Sequence, residues 1–269
     1  MKKKEQVQKP NILELDALES IPVEEQNVIF KPNDGPQTEF LAAGEREVLY
    51  GGSAGGGKSY AMLADPLRYM GHPSFSGLLL RHTTEELREL IFKSKEIYPQ
   101  IWKGIKWSER KMQWEAPSGA RLWMSYLDRD DDVLRYQGLA FSWIGFDELT
   151  QWSTPYAWNY MRSRLRSVAQ DLPVYMRATT NPGGPGHQWV KKMFIDPAPY
   201  GKQFDATDIE SGNVLSYPKG HSKAGQALFK RRFIPARLSD NPYLSAQGDY
   251  EAMLLSLPEH QRKQLLEGD

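Results

Sequence analysis

The chain of 269 residues contains no cysteine. This absence excludes disulfide bonds, thiolate zinc sites and thiol catalysis, and it is consistent with a reducing compartment. No uninterrupted apolar run approaches the roughly 18 residues that a membrane span needs. The basic start, residues 1–4, lacks the apolar stretch of a signal peptide. We therefore expect a cytosolic protein without a membrane partner.

The chain also lacks an excess of either charge, since Lys and Arg together number 34 and Asp and Glu together number 34. It is therefore no bulk polycation, and any contact with nucleic acid must come from a local patch. A candidate patch lies in residues 191–237, which hold nine Lys or Arg and four Asp or Glu. It includes Lys230-Arg231-Arg232, a run that can either contact phosphates in a salt-sensitive way or form a solvated face.

What the sequence does contain is a glycine-rich run, Gly52-Ser53-Ala54-Gly55-Gly56-Gly57-Lys58-Ser59. It fits the pattern G-x-x-x-x-G-K-[ST] at every fixed position, between an apolar segment and a helix-compatible one. Glycines let consecutive backbone N–H groups point at an anion, and the following helix adds its positive dipole end. Lys58 is then placed to reach the β- and γ-phosphates of a nucleotide, and the Ser59 hydroxyl to ligate Mg²⁺.

Strand and helix patterns alternate along the chain around this run. Apolar segments predict strands at residues 48–50, 77–81, 141–146 and 174–179, and helical patterns lie at residues 58–70, 83–98 and 156–168. Thr83 and Glu86 have the spacing of a capping box at the start of the second helix. The alternation predicts an α/β protein in which helices flank a central, mostly parallel sheet.

A β-hairpin interrupts this alternation. Pro117-Ser118-Gly119 is a turn signal between two predicted strands, residues 111–115 and 120–127. Four tryptophans cluster around it, and core packing explains them better than base stacking; they are Trp102, Trp107, Trp114 and Trp123.

Three regions are expected along the chain. Residues 1–30 form an N-terminal arm with an acidic second half, residues 31–240 form the α/β core, and residues 241–269 form a C-terminal helical segment. The last region contains two predicted short helices, near residues 245–256 and 259–266.

A pair of carboxylates supplies what a phosphate loop lacks for hydrolysis. The apolar segment Phe141-Ser142-Trp143-Ile144-Gly145-Phe146 runs directly into Asp147 and Glu148. Asp147 is placed to hold Mg²⁺, and Glu148 to orient and deprotonate the attacking water. Ligands in such sheets bind beyond the carboxyl ends of the strands, where this pair and residues 52–59 would meet.

The sequence gives weaker signals about which nucleotide binds and about which residues detect its γ-phosphate. No Asn in the chain is followed by Lys, so the Asn-Lys-x-Asp guanine motif of GTPases is absent. Thr179-Thr180-Asn181 ends the next predicted strand, where it can sense the γ-phosphate or simply cap a turn. Gln37 can donate to and accept from an adenine edge, although a lone Gln before a helix is usually a surface residue.

Taken in order, Gln37, residues 52–59, Asp147-Glu148 and residues 179–181 resemble the ATPase domain of the large terminase subunit of tailed bacteriophages. That family is the motor that packages DNA into the procapsid. The resemblance covers roughly residues 30–269 and includes further segments, Leu134-Arg135-Tyr136-Gln137-Gly138, Ser163-Arg164-Leu165-Arg166-Ser167 and Asn181-Pro182-Gly183-Gly184.

The resemblance implies a P-loop NTPase of the RecA-like/ASCE type with ATP and Mg²⁺ as cofactors. In this chain Gln37 would contact adenine, the loop Gly52 to Ser59 would hold the triphosphate, and Glu148 would be the catalytic carboxylate. Asp147 and Ser59 would hold Mg²⁺. Thr179, Thr180 and Asn181 would couple hydrolysis to DNA movement.

The implied partners are double-stranded DNA, the portal protein and the small terminase subunit, in the cytoplasm of the host. The family works as a pentameric ring on the procapsid, although an isolated domain can be monomeric. The full subunit also carries a C-terminal nuclease domain, and we expect no DNA cleavage from this chain, which stops about where that domain should begin.

Two departures concern arginines. Many family members carry an arginine inside the phosphate loop, where this chain has Ser53 and Ala54, and some use one just before the glycine of the 134–138 segment, where it has Gln137. Arg135 is our first candidate for an arginine finger that reaches a neighbouring subunit. The reserve candidates are Arg162, Arg164 and Arg166, and each of the four can equally be a surface or DNA-facing arginine.

Other classes of P-loop protein remain as alternatives. A helicase or recombinase of the same broad fold would share the phosphate loop and the acidic pair. A small-molecule kinase would need a lid of mobile arginines and an acceptor pocket, for which the sequence shows no clear signal. A non-catalytic module could bind nucleotide only to assemble a ring.

Overall fold

The computed structural model describes residues 29–242 and 249–262. The chain divides into two units, Met1–Lys31 and Pro32–Asp269. The predicted N-terminal arm lies outside the described residues except for its last two, so its structure stays a prediction. In the C-terminal region two short helices are present, Asp249–Leu255 and Glu259–Arg262. Ser256, the last residue of the first predicted C-terminal helix, is in a turn, and the other remaining positions of the two predicted helices fall outside the described residues.

One sheet organises the second unit. Its strands are β1 (Glu47–Gly52), β2 (Ser76–Arg81), β3 (Lys106–Ser108), β4 (Gln113–Glu115), β5 (Arg121–Tyr126), β6 (Trp143–Phe146), β7 (Tyr175–Thr180), β8 (Gln203–Asp205) and β9 (Lys230–Ala236). In space they follow the order β3-β4-β5-β2-β6-β7-β1-β9-β8. The six strands from β5 to β9 in that order run parallel, and the outer strands β3, β4 and β8 are antiparallel additions.

Helices cover both faces of this sheet, as the sequence predicts. They are α1 (Pro36–Ala42), α2 (Lys58–Ala64), α3 (Thr84–Ile101), α4 (Tyr156–Arg162) and α5 (His187–Phe194). Because neighbouring strand residues point to opposite faces, Val48 and Tyr50 pack with α1, α2 and α3 on one side. Leu49 packs with α4 and α5 on the other side. The fold is therefore a P-loop α/β fold with two hydrophobic layers.

Several local predictions are confirmed. Thr83 and Glu86 form a capping box, since the Thr83 hydroxyl accepts from the backbone N–H of Glu86 and the Glu86 carboxylate accepts from that of Thr83. The predicted hairpin is the antiparallel pair β4–β5. Trp114 is buried and Trp107 packs against it, with ring centroids 5.4 Å apart. The tryptophan cluster thus serves core packing.

Two predicted helices are too long. The helix predicted at residues 58–70 ends as an α-helix at Ala64 and continues as the 3₁₀ turn Asp65–Tyr69, in which Pro66 supplies no backbone N–H. The helix predicted at residues 156–168 ends at Arg162. Beyond it, Phe141 exchanges backbone hydrogen bonds with Arg164 and Arg166, which extends the start of β6 instead of the helix.

The run Lys230-Arg231-Arg232, part of the candidate patch in residues 191–237, opens β9 beside β1. Each of its cations has a carboxylate partner: Lys230 pairs with Asp205 at 2.9 Å, Arg231 with Glu47 at 2.7 Å and Arg232 with Glu39 at 2.5 Å. Arg231 is buried. The sequence pattern missed β8, β9 and α5 because Gly and Pro are frequent in this region and charged residues begin β9.

Candidate functional site

The phosphate loop lies where β1 ends and α2 begins, at the carboxyl edge of the parallel strands. Three of its glycines have a positive φ: 131° at Gly52, 79° at Gly55 and 75° at Gly57. A Cβ atom on Gly52 would lie 2.2 Å from the carbonyl oxygen of Ala236 in β9. Both the left-handed backbone and this close approach therefore require glycine at the entry to the loop.

Side chains from three elements hold the loop from outside. The Tyr50 hydroxyl donates to the carbonyl of Gly56 at 2.8 Å, and the Asn241 amide donates to the carbonyl of Gly55 at 2.5 Å. Gln37 is buried, and its Nε2 donates to the carbonyl of Gly57 at 2.9 Å. The loop is thus fixed through these carbonyl oxygens and through the N–H of Ser53, which donates to the carbonyl of Ala236 at 2.9 Å.

The structure places Gln37 against the loop, with both ends of its amide engaged within the protein. Its Oε1 accepts from the backbone N–H of Asn33 at 2.6 Å, while its Nε2 holds Gly57. These two bonds account for its burial. The adenine contact implied by the resemblance stays a prediction, and the amide retains a second N–H and a second lone pair with which to make it.

Lys58 connects the loop with the acidic pair. Its ammonium group is buried, 2.6 Å from the carbonyl oxygen of Ser53. Burial lowers the pKa of Lys58 to about 8, while the negative charges of Glu148 and Asp147 oppose the shift. The two carboxylates act on Lys58 because β1 and β6 both flank β7 in the sheet. The two halves of the predicted site therefore converge.

Asp147 lies directly after β6 and is fully buried. The Thr179 hydroxyl donates to its Oδ1. Its Oδ2 lies 3.1 Å from Nε of Arg81, a buried guanidinium at the end of β2. Sequence reasoning missed Arg81, although a charged residue directly after the apolar Leu78-Leu79-Leu80 run was a usable signal.

Glu148 adopts a conformation that is rare for a residue with a side chain, with φ 60° and ψ 58°. Backbone strain of this kind costs of order 1–3 kcal/mol and persists where surrounding contacts fix it. Here Thr179 accepts a hydrogen bond from the Glu148 backbone N–H at 3.1 Å. Asn181 donates from its backbone N–H and its side-chain amide to the two carboxylate oxygens, at 3.0 and 2.9 Å.

The surroundings of Glu148 raise its pKa. Burial raises its pKa, and the neighbouring charge of Asp147 raises it further, while Lys58 and Arg81 act in the opposite direction. A carboxylate with a raised pKa accepts a proton more readily from water. Glu148 thus combines a strained backbone, two hydrogen bonds donated by Asn181 and a raised pKa.

The segment 179–181 therefore contacts both acidic residues rather than only capping a turn. Thr179 bonds to Asp147 and to the backbone of Glu148, and Asn181 holds the Glu148 carboxylate. Thr180 donates to the Thr150 hydroxyl at 2.9 Å. A cavity of about 370 Å³ adjoins this segment and is also lined by Gly51 and Gly52, at the end of β1.

The residues present fit a magnesium ion. Asp147 is a buried carboxylate whose Oδ2 accepts no hydrogen bond, although Arg81 balances its charge. Ser59 follows Lys58 in the first turn of α2. Within the described ranges no group of three or more His, Cys, Asp or Glu is placed to hold a metal. Magnesium beside a nucleotide needs only one or two carboxylates, with phosphates and water as its other ligands.

The candidate arginine fingers lie away from these contacts. Arg135 is half-exposed, with its guanidinium donating to the carbonyl of Tyr126 at 2.8 Å and paired with Asp132 at 3.3 Å. Arg162 is paired with Glu47 at the start of β1, the opposite edge of the sheet from the phosphate loop. Arg164 bonds to Ser163, and Arg166 bonds to the carbonyls of Gly138 and Leu139. Arg162 therefore has a structural partner, and the role of Arg135 stays a prediction.

The pKa of Lys58 gives a testable pH dependence. A bound triphosphate would raise this pKa above its value of about 8 in the free protein. ATP affinity should therefore be full below pH 8 and should fall as the pH rises above it, by up to about tenfold per pH unit. Calorimetric titration with ATP and Mg²⁺ from pH 7 to 10 measures this. A Lys58→Arg variant, whose side chain stays protonated, is the matched control, and a flat wild-type profile would contradict the assignment.

Comparisons with known proteins identify the family of this chain. Residues 45–223 match the model of the family described as phage terminase large subunit, which is more than half of the chain. The chain belongs to this family. No curated protein matches it.

Solved structures with the same fold are distant in sequence. The large terminase of a thermophilic bacteriophage in complex with ADP is 15% identical, with a TM-score of 0.59 over 89% of this chain and 53% of that one. The large terminase ATPase domain of Thermus phage P74-26 is 13% identical, with a TM-score of 0.54 over 89% of this chain and 94% of that one. These likenesses show the terminase ATPase-domain fold, and the chain spans about half the length of the terminase solved with ADP.

Proposed function

We propose that this terminase chain is an ATP-hydrolysing motor domain that couples hydrolysis to translocation of double-stranded DNA into a procapsid. The observation that carries the proposal is the convergence of Lys58, Asp147, Glu148 and Asn181 at one edge of the sheet. The ADP bound in the similar terminase of the thermophilic bacteriophage supports a nucleotide as the ligand. A binding module that only assembles a ring would not need a strained, buried glutamate.

The proposed chemistry assigns one task to each group. The loop N–H groups and Lys58 would hold the triphosphate, and Asp147 and Ser59 would hold Mg²⁺, which neutralises charge that develops on the phosphates. Glu148 would accept a proton from the attacking water. Asn181, which holds both carboxylate oxygens of Glu148, would fix the direction from which Glu148 approaches that water.

The segment that contains Asn181 also connects the site of hydrolysis with an element that can move. Asn181 leads through Pro182, Gly183 and Gly184 into α5, and the two glycines have positive φ values of 86° and 83°. A change in the Asn181 contacts can therefore be passed to a helix that packs on the sheet. We propose this path as the coupling element of the motor.

The proposed assembly follows from membership of the family. Its partners would be double-stranded DNA, the portal protein and the small terminase subunit, and the motor would be a pentameric ring in the host cytoplasm. Arg135 is the proposed arginine that reaches a neighbouring subunit. Within the described residues no helix is long and apolar enough to cross a membrane.

Steady-state ATP hydrolysis tests the proposed function. The purified chain should release phosphate from ATP without an added acceptor, and duplex DNA should stimulate the rate more than single-stranded DNA of equal length. In Lys58→Ala, ATP affinity should fall about 10- to 100-fold, because hydrogen bonds to charged groups contribute about 1.5–3 kcal/mol.

Three outcomes would count against the proposal. Stimulation by single strands alone would favour a helicase or recombinase, and phosphate transfer only to an added small molecule would favour a kinase. Unaltered ATP affinity in Lys58→Ala would contradict the phosphate loop assignment itself.

A further inference from the structure

The DNA contact in the proposed function needs a cationic surface, and each cation of residues 230–232 already has a carboxylate partner. The opposite end of the sheet carries a different set of cations. They lie on β3, on β5, in the turn between β3 and β4 and in the turn that leads into β3. All are exposed: Lys103, Lys106, Arg110, Lys111 and Arg121. We call this set the hairpin surface.

The cations of the hairpin surface are not used within the described part of the chain. None of the five takes part in the ion pairs found there. Residues 101–121 hold only two carboxylates against these five cations. One of the two, Glu109, is paired with Lys95 of α3. Within residues 101–121, Glu115 is the carboxylate left to oppose the positive charge.

Strand register brings part of this set into one row. Lys106 of β3 lies opposite Glu115 of β4, and Glu115 lies opposite Arg121 of β5. All three side chains are exposed, whereas the neighbouring Trp114 is buried in the core. The row therefore presents two cations, separated by a single carboxylate, on a rigid antiparallel ribbon.

The hairpin surface lies at an open edge of the sheet. A groove of about 630 Å³ follows the ribbon and is lined by Lys106, Trp107, Glu115 and Gly119 among others. Among the described strands β3 is the outermost, so no strand of the sheet covers it. Lysines on an edge strand can also serve only to prevent edge-to-edge pairing, which is the alternative that an experiment must separate.

We propose that the hairpin surface contacts the phosphate backbone of double-stranded DNA. The contact is non-specific, because Lys and Arg on a regular ribbon match repeating phosphates and carry no information about base sequence. This inference rests on the proposed function, which supplies duplex DNA as the polyanion. Glu115 lies between the cations, so it weakens the contact.

Fluorescence anisotropy with a labelled 30-base-pair duplex tests the surface. At about 100 mM salt, Lys103→Glu with Lys106→Glu should weaken binding at least about tenfold and lower the salt slope by about two. The matched control is Lys219→Glu with Lys223→Glu, which makes the same charge change on two exposed lysines of the other candidate patch, residues 191–237. Binding through that patch would make this variant lose affinity, whereas we expect a change of less than about threefold. Glu115→Gln should instead strengthen binding about two- to fivefold.

The outcomes separate this inference from the proposed function. Equal losses in the hairpin and control variants, or unchanged binding in both hairpin variants, would overturn the hairpin surface. No duplex binding by the wild-type chain would also overturn it, while ATP hydrolysis by the same sample would leave the ATPase assignment standing. A wild-type sample without ATP hydrolysis would contradict the proposed function instead. Thermal unfolding of each variant verifies that the fold is retained.

Discussion

Glu148→Gln should retain ATP binding and lose turnover by at least about a hundredfold, the scale of losing a general base. The amide has the same size and can still accept a hydrogen bond from Asn181, so the strained backbone at φ 60° need not change. What it cannot do is accept a proton from water. The measurement is kcat for phosphate release, with ATP affinity measured on the same sample.

A matched control exists for this substitution. Glu96→Gln makes the same chemical change on an exposed position of α3, and kcat should stay within about twofold of the wild-type value. If Glu148→Gln turns over ATP at the wild-type rate, the role given to Glu148 is wrong. If it fails to bind ATP, the residue serves the structure of the site rather than proton transfer.

Glu47→Ala should lower the free energy of unfolding by about 3–5 kcal/mol, the cost of removing one partner from a buried ion pair. The Glu47 carboxylate is buried between two guanidinium groups, those of Arg162 and Arg231. The side chain of Arg231 is 1% exposed, so its charge would be left without compensation. Chemical denaturation monitored by tryptophan fluorescence measures the loss.

The contribution of the Glu47 carboxylate to stability depends on pH in a defined direction. Burial alone would raise the pKa of Glu47, but the charges of Arg162 and Arg231 outweigh it and hold the pKa below its ordinary value of 4.5. The stabilisation is therefore present above about pH 4.5 and is lost as the pH falls through the folded-state pKa. Glu47→Ala should abolish this part of the acid sensitivity.

Glu39→Ala is the control for Glu47→Ala. Glu39 also pairs with an arginine of β9, Arg232, but its carboxylate is 51% exposed. An exposed pair contributes about 0–1 kcal/mol, so stability should change by no more than that. Equal losses in the two variants would contradict the argument that burial makes the Glu47 pair important.

The parts of the fold that the sequence predicts are those with local signals. The phosphate loop needs glycines at Gly52 and Gly57 for positive φ. Its pattern can therefore be recognised in the sequence without information from the rest of the chain. The strand that ends at Asp147 is a short apolar run, and such runs are readable without tertiary information. The capping box of Thr83 and Glu86 is local in the same way.

The parts that the sequence does not predict depend on partners far away in the chain. β9 begins with three charged residues, and it is a strand because it pairs with β1, where Arg231 meets Glu47 across a separation of 184 positions. Arg81 belongs to the candidate site only because β2 lies beside β6. The hydrogen bonds from Asn181 to Glu148 likewise depend on the pairing of β7 with β6. No local pattern encodes such pairings.

The most direct test of the proposed ATP site is a crystal structure of this chain with Mg²⁺ and a non-hydrolysable ATP analogue. We expect the β- and γ-phosphates to lie within hydrogen-bond distance of Lys58 and the loop N–H groups, and the Mg²⁺ ion to lie between Ser59 and Asp147. Glu148 should face the γ-phosphate through one water molecule. An analogue bound away from the loop, or one whose γ-phosphate lies far from Asp147 and Glu148, would contradict the convergence on which the motor assignment depends.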